Sequence, residues 1–205
     1  GSVPSSRGVA LRIWEWERTR DLVFSVDLVM PADRSLLLVV VRVRNPDPET
    51  KPLDWWTNIA APEEPGVRIV APAARAWRTE YDGSITPVEV PVADDSATDV
   101  SYPLRAQRTA DYFFQVPAER RPWIAAVQAD GRGLVQTSTA HLAGRKLFLW
   151  GTAAGGRHWQ EWLCGPESRY LEIQAGLATT QFEHLRLEAG AEVSWAEAYV
   201  PIDAM

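Results

Sequence analysis

The chain has 205 residues, 46% hydrophobic and 23% charged, with a formal net charge of −6. That composition predicts a soluble globular protein able to bury a sizeable core. The acidic balance and the lack of any Lys/Arg block argue against a nucleic-acid partner or an anionic-membrane surface.

Gly1-Ser2 reads as an expression-tag scar, so residues 1–8 are taken as a tag remnant with a flexible N-terminus and residues 9–205 as one domain. Strand-like runs follow at 9–16, 22–29, 36–43, 55–60, 67–70, 112–116, 123–128, 134–139, 146–150, 170–174 and 192–199. They are short, rich in β-branched and aromatic residues, and bounded by Pro, Gly, Asp or Asn. Turn signals such as Asn45-Pro46-Asp47-Pro48, Ala129-Asp130-Gly131-Arg132 and Glu188-Ala189-Gly190 separate them and predict antiparallel meanders. The fold class is therefore all-β, an antiparallel sandwich. Residues 88–110 lack a sustained apolar period and read as a long loop. One helical turn is expected at 160–163. No run approaches the ~20 apolar residues of a membrane span. With Cys164 as the single cysteine, no intrachain disulfide can form, and a cytoplasmic location is the expectation.

Within 170–174, strand alternation places Tyr170, Glu172 and Gln174 on one face and Leu171 and Ile173 in the core. A face of phenol, carboxylate and amide suits a polyhydroxylated ligand, whereas the bland alternative is an ordinary solvent-facing strand. The ten tryptophans offer stacking platforms for sugar rings or, alternatively, core and interface filling. Trp55 and Trp56 must face opposite ways, and Trp159 and Trp162 flank Glu161 near His158.

Several chemistries fit poorly. The glycines of 151–156 are not followed by Lys-Ser or Lys-Thr, so a phosphate loop is rejected. His158, Glu161 and His184 lack metal-ligand spacing, and no metal or cofactor is expected. There is no Gly-x-Ser-x-Gly, and Cys164 has no local base. The remaining pair is Glu161 with Glu172, in glycosidase-like roles set by their separation. Alternatively Glu172 removes a proton from an anomeric hydroxyl while His158 protonates the ring oxygen.

Tyr170-Leu171-Glu172-Ile173-Gln174, with the Ala189-Gly190-Ala191-Glu192 turn and the strand to Tyr199, resembles the C-terminal end of aldose 1-epimerases, the galactose mutarotase-like proteins. In that family a Leu-Glu-x-Gln strand carries the catalytic glutamate. Three further segments resemble an uncharacterised bacterial domain family often joined to tetratricopeptide repeats: Trp55-Trp56-Thr57-Asn58-Ile59-Ala60, Leu149-Trp150-Gly151-Thr152 and 155–163. The resemblance implies a β-supersandwich of which this chain matches the C-terminal part. The preceding N-terminal β-region, which in mutarotases supplies substrate-binding Arg and His residues, has no match here. Either that half is missing from a fragment, or the exposed sheet is covered by homo-oligomerisation.

These readings combine into a carbohydrate-active domain that binds a saccharide on a concave sheet face. Glu172, His158 and Glu161 are the candidate acid/base groups of an epimerase or a glycoside hydrolase. Asn58 and Gln174 would bond hydroxyls, and Trp55, Trp56, Trp159 and Trp162 would stack on rings. The alternative is a non-catalytic recognition or assembly module whose tryptophans form a protein interface.

Overall fold

Side chains that alternate between apolar and polar along a strand can bury only one face, so such strands assemble into sheets that pack face to face. The computed structural model describes residues 2–5, 8–93 and 97–203. Its first strands are β1 (Ser2–Ser5), β2 (Gly8–Glu17), β3 (Leu22–Pro31), β4 (Leu37–Arg44), β5 (Lys51–Leu53), β6 (Trp56–Pro62), β7 (Arg68–Val70), β8 (Arg75–Thr79) and β9 (Ile85–Glu89). Then come β10 (Val92–Ala93), β11 (Thr98–Asp99), β12 (Ala110–Phe114), β13 (Trp123–Val127), β14 (Gly133–Ser138) and β15 (Gly144–Leu149). Helix α1 (Ala154–Cys164) precedes β16 (Tyr170–Gly176), β17 (Leu185–Leu187) and β18 (Glu192–Ile202).

The larger sheet runs β1-β2-β3-β4-β18-β14-β13-β7 and the smaller one β6-β16-β15-β12-β8-β9, with the short pairs β10-β11 and β17-β5 beside them. All pairings are antiparallel, as in β2-β3-β4, where Ile13 faces Val26 and Val26 faces Val41. Each of the eleven runs read from the sequence contains a strand. Local meanders account for only part of the order, because β18 inserts between β4 and β14 and joins the two ends of the chain. Within residues 1–8, read as flexible from the sequence, Ser2–Ser5 pairs with 8–11.

The core lies between the sheets. Val39, Val41, Val43 and Trp195 from the larger sheet meet Ala175 and Leu177, and Ile124, Ala126 and Ile69 meet Leu147, Leu149, Leu171 and Ile173. Two charges are buried among these apolar groups. Arg145 is fully buried and donates to the carbonyls of Leu142, Gly144 and Pro122 and to Ser138 Oγ, at 2.6 to 2.9 Å. Burial pushes its guanidinium down to about 10, against the opposing pull of the Glu197 charge. Glu197 accepts from Thr57 Oγ1 at 2.7 Å, Gln136 Nε2 at 3.0 Å, Tyr199 OH at 3.1 Å and Trp195 Nε1 at 3.2 Å. Burial, reinforced by the Glu197 charge, pushes the Tyr199 phenol up and keeps it a donor.

The expected long loop at 88–110 holds the β10-β11 pair and a 3₁₀ turn at Pro103–Arg105; Asp94, Asp95 and Ser96 lie outside the described residues. The single expected helical turn is instead the three-turn helix α1. Its sequence hides it, because only Gly156 and Gln160 are buried and no apolar stripe faces the core. A Cβ on Gly156 would stand 2.0 Å from the Trp150 carbonyl oxygen, so glycine allows the helix to lie against the end of β15. Gln160 Nε2 donates to Glu63 Oε2 at 3.0 Å, and Cys164 Sγ lies 3.0 Å from both the Gln160 and the Ser168 carbonyl oxygens, its one S–H open to either. Gly165 ends it at φ 86°. Among the described residues no helix is long and apolar enough to cross a membrane.

The two buried carboxylates differ in how well they are satisfied, and their substitutions should differ accordingly. Glu197→Ala strands four donors and removes the charge opposing Arg145, so equilibrium urea unfolding should show a loss of about 3 kcal/mol or more; a loss below about 1 kcal/mol would contradict the role given to Glu197. Glu63 is 5% exposed and its Oε1 is buried without a partner. Burial pushes its carboxyl up, against the Gln160 hydrogen bond and the Arg169 charge. A folded-state pKa above the unfolded value of about 4.3 means that the fold gains stability as pH falls through the raised pKa and loses it again on the way up. Glu63→Gln should therefore raise the melting temperature at pH 7, with the gain shrinking toward pH 5. A pH-independent difference between variant and wild type would contradict this.

Candidate functional site

Strand β16 puts Leu171, Ile173 and Ala175 into the core, which turns Tyr170, Glu172 and Gln174 onto the outer face of the smaller sheet. Register then determines their neighbours. One row across β6, β16, β15 and β12 reads Ala60, Glu172, Phe148, Asp111; the next reads Asn58, Gln174, Lys146, Phe113 and continues to Trp77 on β8. The third row holds Trp56, Gly176 and Gly144.

Glu172 is anchored through a single oxygen. Asn58 Nδ2 donates to Oε2 at 2.7 Å and Gln174 Nε2 donates to the same Oε2 at 2.8 Å. No donor among the described residues reaches Oε1. The polar row continues beyond Gln174, whose Oε1 is approached by Gln181 Nε2 at 3.4 Å, while Gln181 Oε1 accepts from Lys146 Nζ at 2.8 Å. Lys146 Nζ also lies 2.9 Å from Asp111 Oδ1. Aromatic rings flank this row. Tyr170, Trp150 and Phe148 form one edge-to-face chain, and Trp56, Phe113 and Phe182 form another. Burial and the Glu172 charge push the Tyr170 phenol up, so it stays a hydroxyl beside the carboxylate.

Five of the residues singled out in the sequence thus share this face: Trp56, Asn58, Tyr170, Glu172 and Gln174. Trp55 points the other way, into the core, where its ring meets Phe24 and Trp195 and its Nε1 reaches Thr57 Oγ1 at 3.3 Å. His158, Trp159, Glu161 and Trp162 sit on α1 with exposed side chains. Trp159 packs edge-on against Trp162 at 5.6 Å, and among the described residues no hydrogen bond, ion pair or ring contact links any of the four to Glu172. No group of three or more His, Cys, Asp or Glu among the described residues is arranged to hold a metal ion.

Sequence reading missed Lys146, Asp111, Phe113, Phe148, Trp77 and Gln181. A signal existed for two of the strands. Lys146 and Phe148 alternate with Leu147 and Leu149, and Asp111 and Phe113 have the same outward parity beside Tyr112. Trp77 and Gln181 lie in segments that were not read as strands.

Two glycines make the bed for Trp56. A Cβ on Gly176 would stand 2.3 Å from the Trp56 ring, and one on Gly144 would stand 2.9 Å from it. Gly176→Ala should therefore displace the ring and cost about 1–3 kcal/mol in chemical unfolding. Gly155→Ala, in open space on α1, should instead be neutral or stabilising by up to about 1 kcal/mol. Equal effects at both positions would rule out this packing account.

No curated protein matches the chain in sequence. A TPR-domain containing protein from Parabacteroides distasonis superposes with a TM-score of 0.82 at 20% identity, over 98% of this chain and 34% of that one. A candidate aldose 1-epimerase from Escherichia coli gives 0.70 at 14% identity, over 100% of this chain and 68% of that one. A galactose mutarotase-like protein from Clostridium acetobutylicum gives 0.65 at 10% identity, over 100% and 65%. The chain thus spans about a third of the length of the first protein and about two thirds of the other two. These likenesses establish the fold as an antiparallel sandwich of the galactose mutarotase-like type. Residues 7–197 match the family described as a domain of unknown function, DUF5107, and the chain belongs to that family.

Proposed function

We propose that the outer face of the smaller sheet binds a saccharide, with Glu172 as the central acceptor and as the base for a sugar hydroxyl. The observation that carries this reading is the one-sided anchoring of the carboxylate. Asn58 and Gln174 hold Oε2 while Oε1 is left for a ligand hydroxyl. Tyr170 and Phe148 border Glu172 and supply apolar surface for a ring, which is the usual composition of a sugar site. The fold supports the reading at a coarser level, because neighbours of the same architecture include an aldose 1-epimerase candidate and a galactose mutarotase-like protein. In an epimerase-type step Glu172 would take the anomeric hydroxyl proton as the ring C–O bond breaks and the ring oxygen gains a proton. Tyr170 and Lys146 are proton-bearing groups on the same face that could supply it. His158 and Glu161, on the exposed helix, play no part in this arrangement.

The assembly alternative rests on a different observation: Trp14 is 71% exposed, Trp16 52% and Trp162 69%. One set of titrations separates the two readings. Binding and mutarotation of D-galactose and D-glucose should fall tenfold or more in Glu172→Gln, whereas Trp14→Ala and Trp162→Ala should leave them unchanged. Sugar binding that survives Glu172→Gln, or that requires Trp14 or Trp162, would overturn the proposed site.

A further inference from the structure

The charges on the outer face of the smaller sheet are few and nearly all are paired. On its central strands the outward positions carry Glu172, Lys146 and Asp111. At the β8-β9 edge Arg75 and Glu89 form an exposed ion pair at 2.8 Å. The outward residues Trp56, Asn58 and Ala60 of β6 and Trp77 and Thr79 of β8 are uncharged. Lys146 is the unusual member. Its side chain is only 5% exposed, yet it faces away from the core, and its ammonium lies over the rings of Phe113 and Trp56 at 5.5 and 5.9 Å. A cation so placed beside a polar row would draw a phosphate or carboxylate, were it not compensated. Asp111 compensates it as an ion pair at 2.9 Å from the neighbouring strand, and the ammonium donates a hydrogen bond to the exposed amide of Gln181 at 2.8 Å. After this cancellation Glu172 is, among the described residues on these strands, the one outward charge without an ion-pair partner, and it is negative.

We infer that Asp111 is a specificity-determining residue of this face: by neutralising Lys146 it restricts the site to uncharged saccharides and excludes sugar phosphates and uronic acids. The inference rests on the saccharide reading proposed above and adds to it the class of sugar. Asp111 acts through Lys146 and needs no contact with the ligand. Its register supports this, because Asp111 is separated from Glu172 by Phe148, whereas Lys146 lies directly beside Gln174.

The test compares D-galactose and D-glucose with glucose 6-phosphate and galacturonate on the full chain by calorimetric titration. Wild type should bind the neutral sugars and bind the anionic ones at least tenfold more weakly. Asp111→Asn uncovers the ammonium and should raise relative affinity for the anions by about tenfold, an advantage that shrinks between 50 and 300 mM salt. The double substitution Asp111→Asn with Lys146→Gln removes both charges and should restore the wild-type preference, which separates charge from a general disturbance of the face. Thermal unfolding of each variant confirms that folded proteins are compared, and if Asp111→Asn does not fold, Lys146→Gln with Asp111→Glu replaces it and should weaken anion binding further. Neutral and anionic sugars bound with a ratio that Asp111→Asn leaves unchanged, or anions preferred by wild type, would overturn the inference while leaving the saccharide site standing. Failure of all four sugars to bind wild type would overturn the saccharide reading, and this inference with it.

Discussion

A single buried carboxylate ties the two sheets together. Glu197 on β18 gathers donors from its own strand, from β14 and, through Thr57, from β6 of the opposite sheet. A charge in an apolar interior is tolerable only when its acceptor sites are filled, and here four hydrogen bonds fill them while Arg145 supplies the opposite charge nearby. The node also sets direction. Thr57 must point inward to reach Glu197, so Trp56 and Asn58, its chain neighbours, must point outward.

That constraint builds the candidate site. With Asn58 turned out of β6 and opposite Gln174, its amide meets the Glu172 carboxylate from one strand while Gln174 meets it from another. The bed of Gly144 and Gly176 lets the neighbouring Trp56 ring lie across two strands instead of standing off the sheet. Inner packing and outer chemistry are thus two sides of the same register, and a one-residue slip of β6 would destroy both. The family, a domain of unknown function, brings no activity with it, and the mutarotase-like architecture is a scaffold on which many sites can be built.

Helix α1 shows how a conspicuous sequence segment can be held by contacts other than those to Glu172. Residues 155–162 concentrate glycine, histidine, glutamate and tryptophan, and on that ground they attract a catalytic reading. In three dimensions Gly156 and Gln160 attach the helix to the end of the sandwich, while Trp159, Trp162 and Leu163 face outward. Nearness in sequence to Glu172 did not become a direct link, since among the described residues no hydrogen bond, ion pair or ring contact joins His158, Trp159, Glu161 or Trp162 to it.

The strands, their antiparallel character and the outward parity of Tyr170, Glu172 and Gln174 were legible in the residues, because side-chain alternation is a local property of an extended backbone. The opposite orientations of Trp55 and Trp56 were legible for the same reason, although not which of them is buried. Helix α1 was almost invisible, since it buries glycine and glutamine where pattern reading looks for an apolar stripe. The partners of Glu172 across the sheet were not legible as a set. Asn58 is 114 positions away, and Lys146 and Asp111 join the same polar row only through the order β6-β16-β15-β12. Strand order and register follow from how the inner faces fill a shared core, a sum over distant contacts that no local pattern encodes. So the residues announced a carboxylate on a sheet face, while folding decided which groups surround it and that Lys146, in the next row, is already paired.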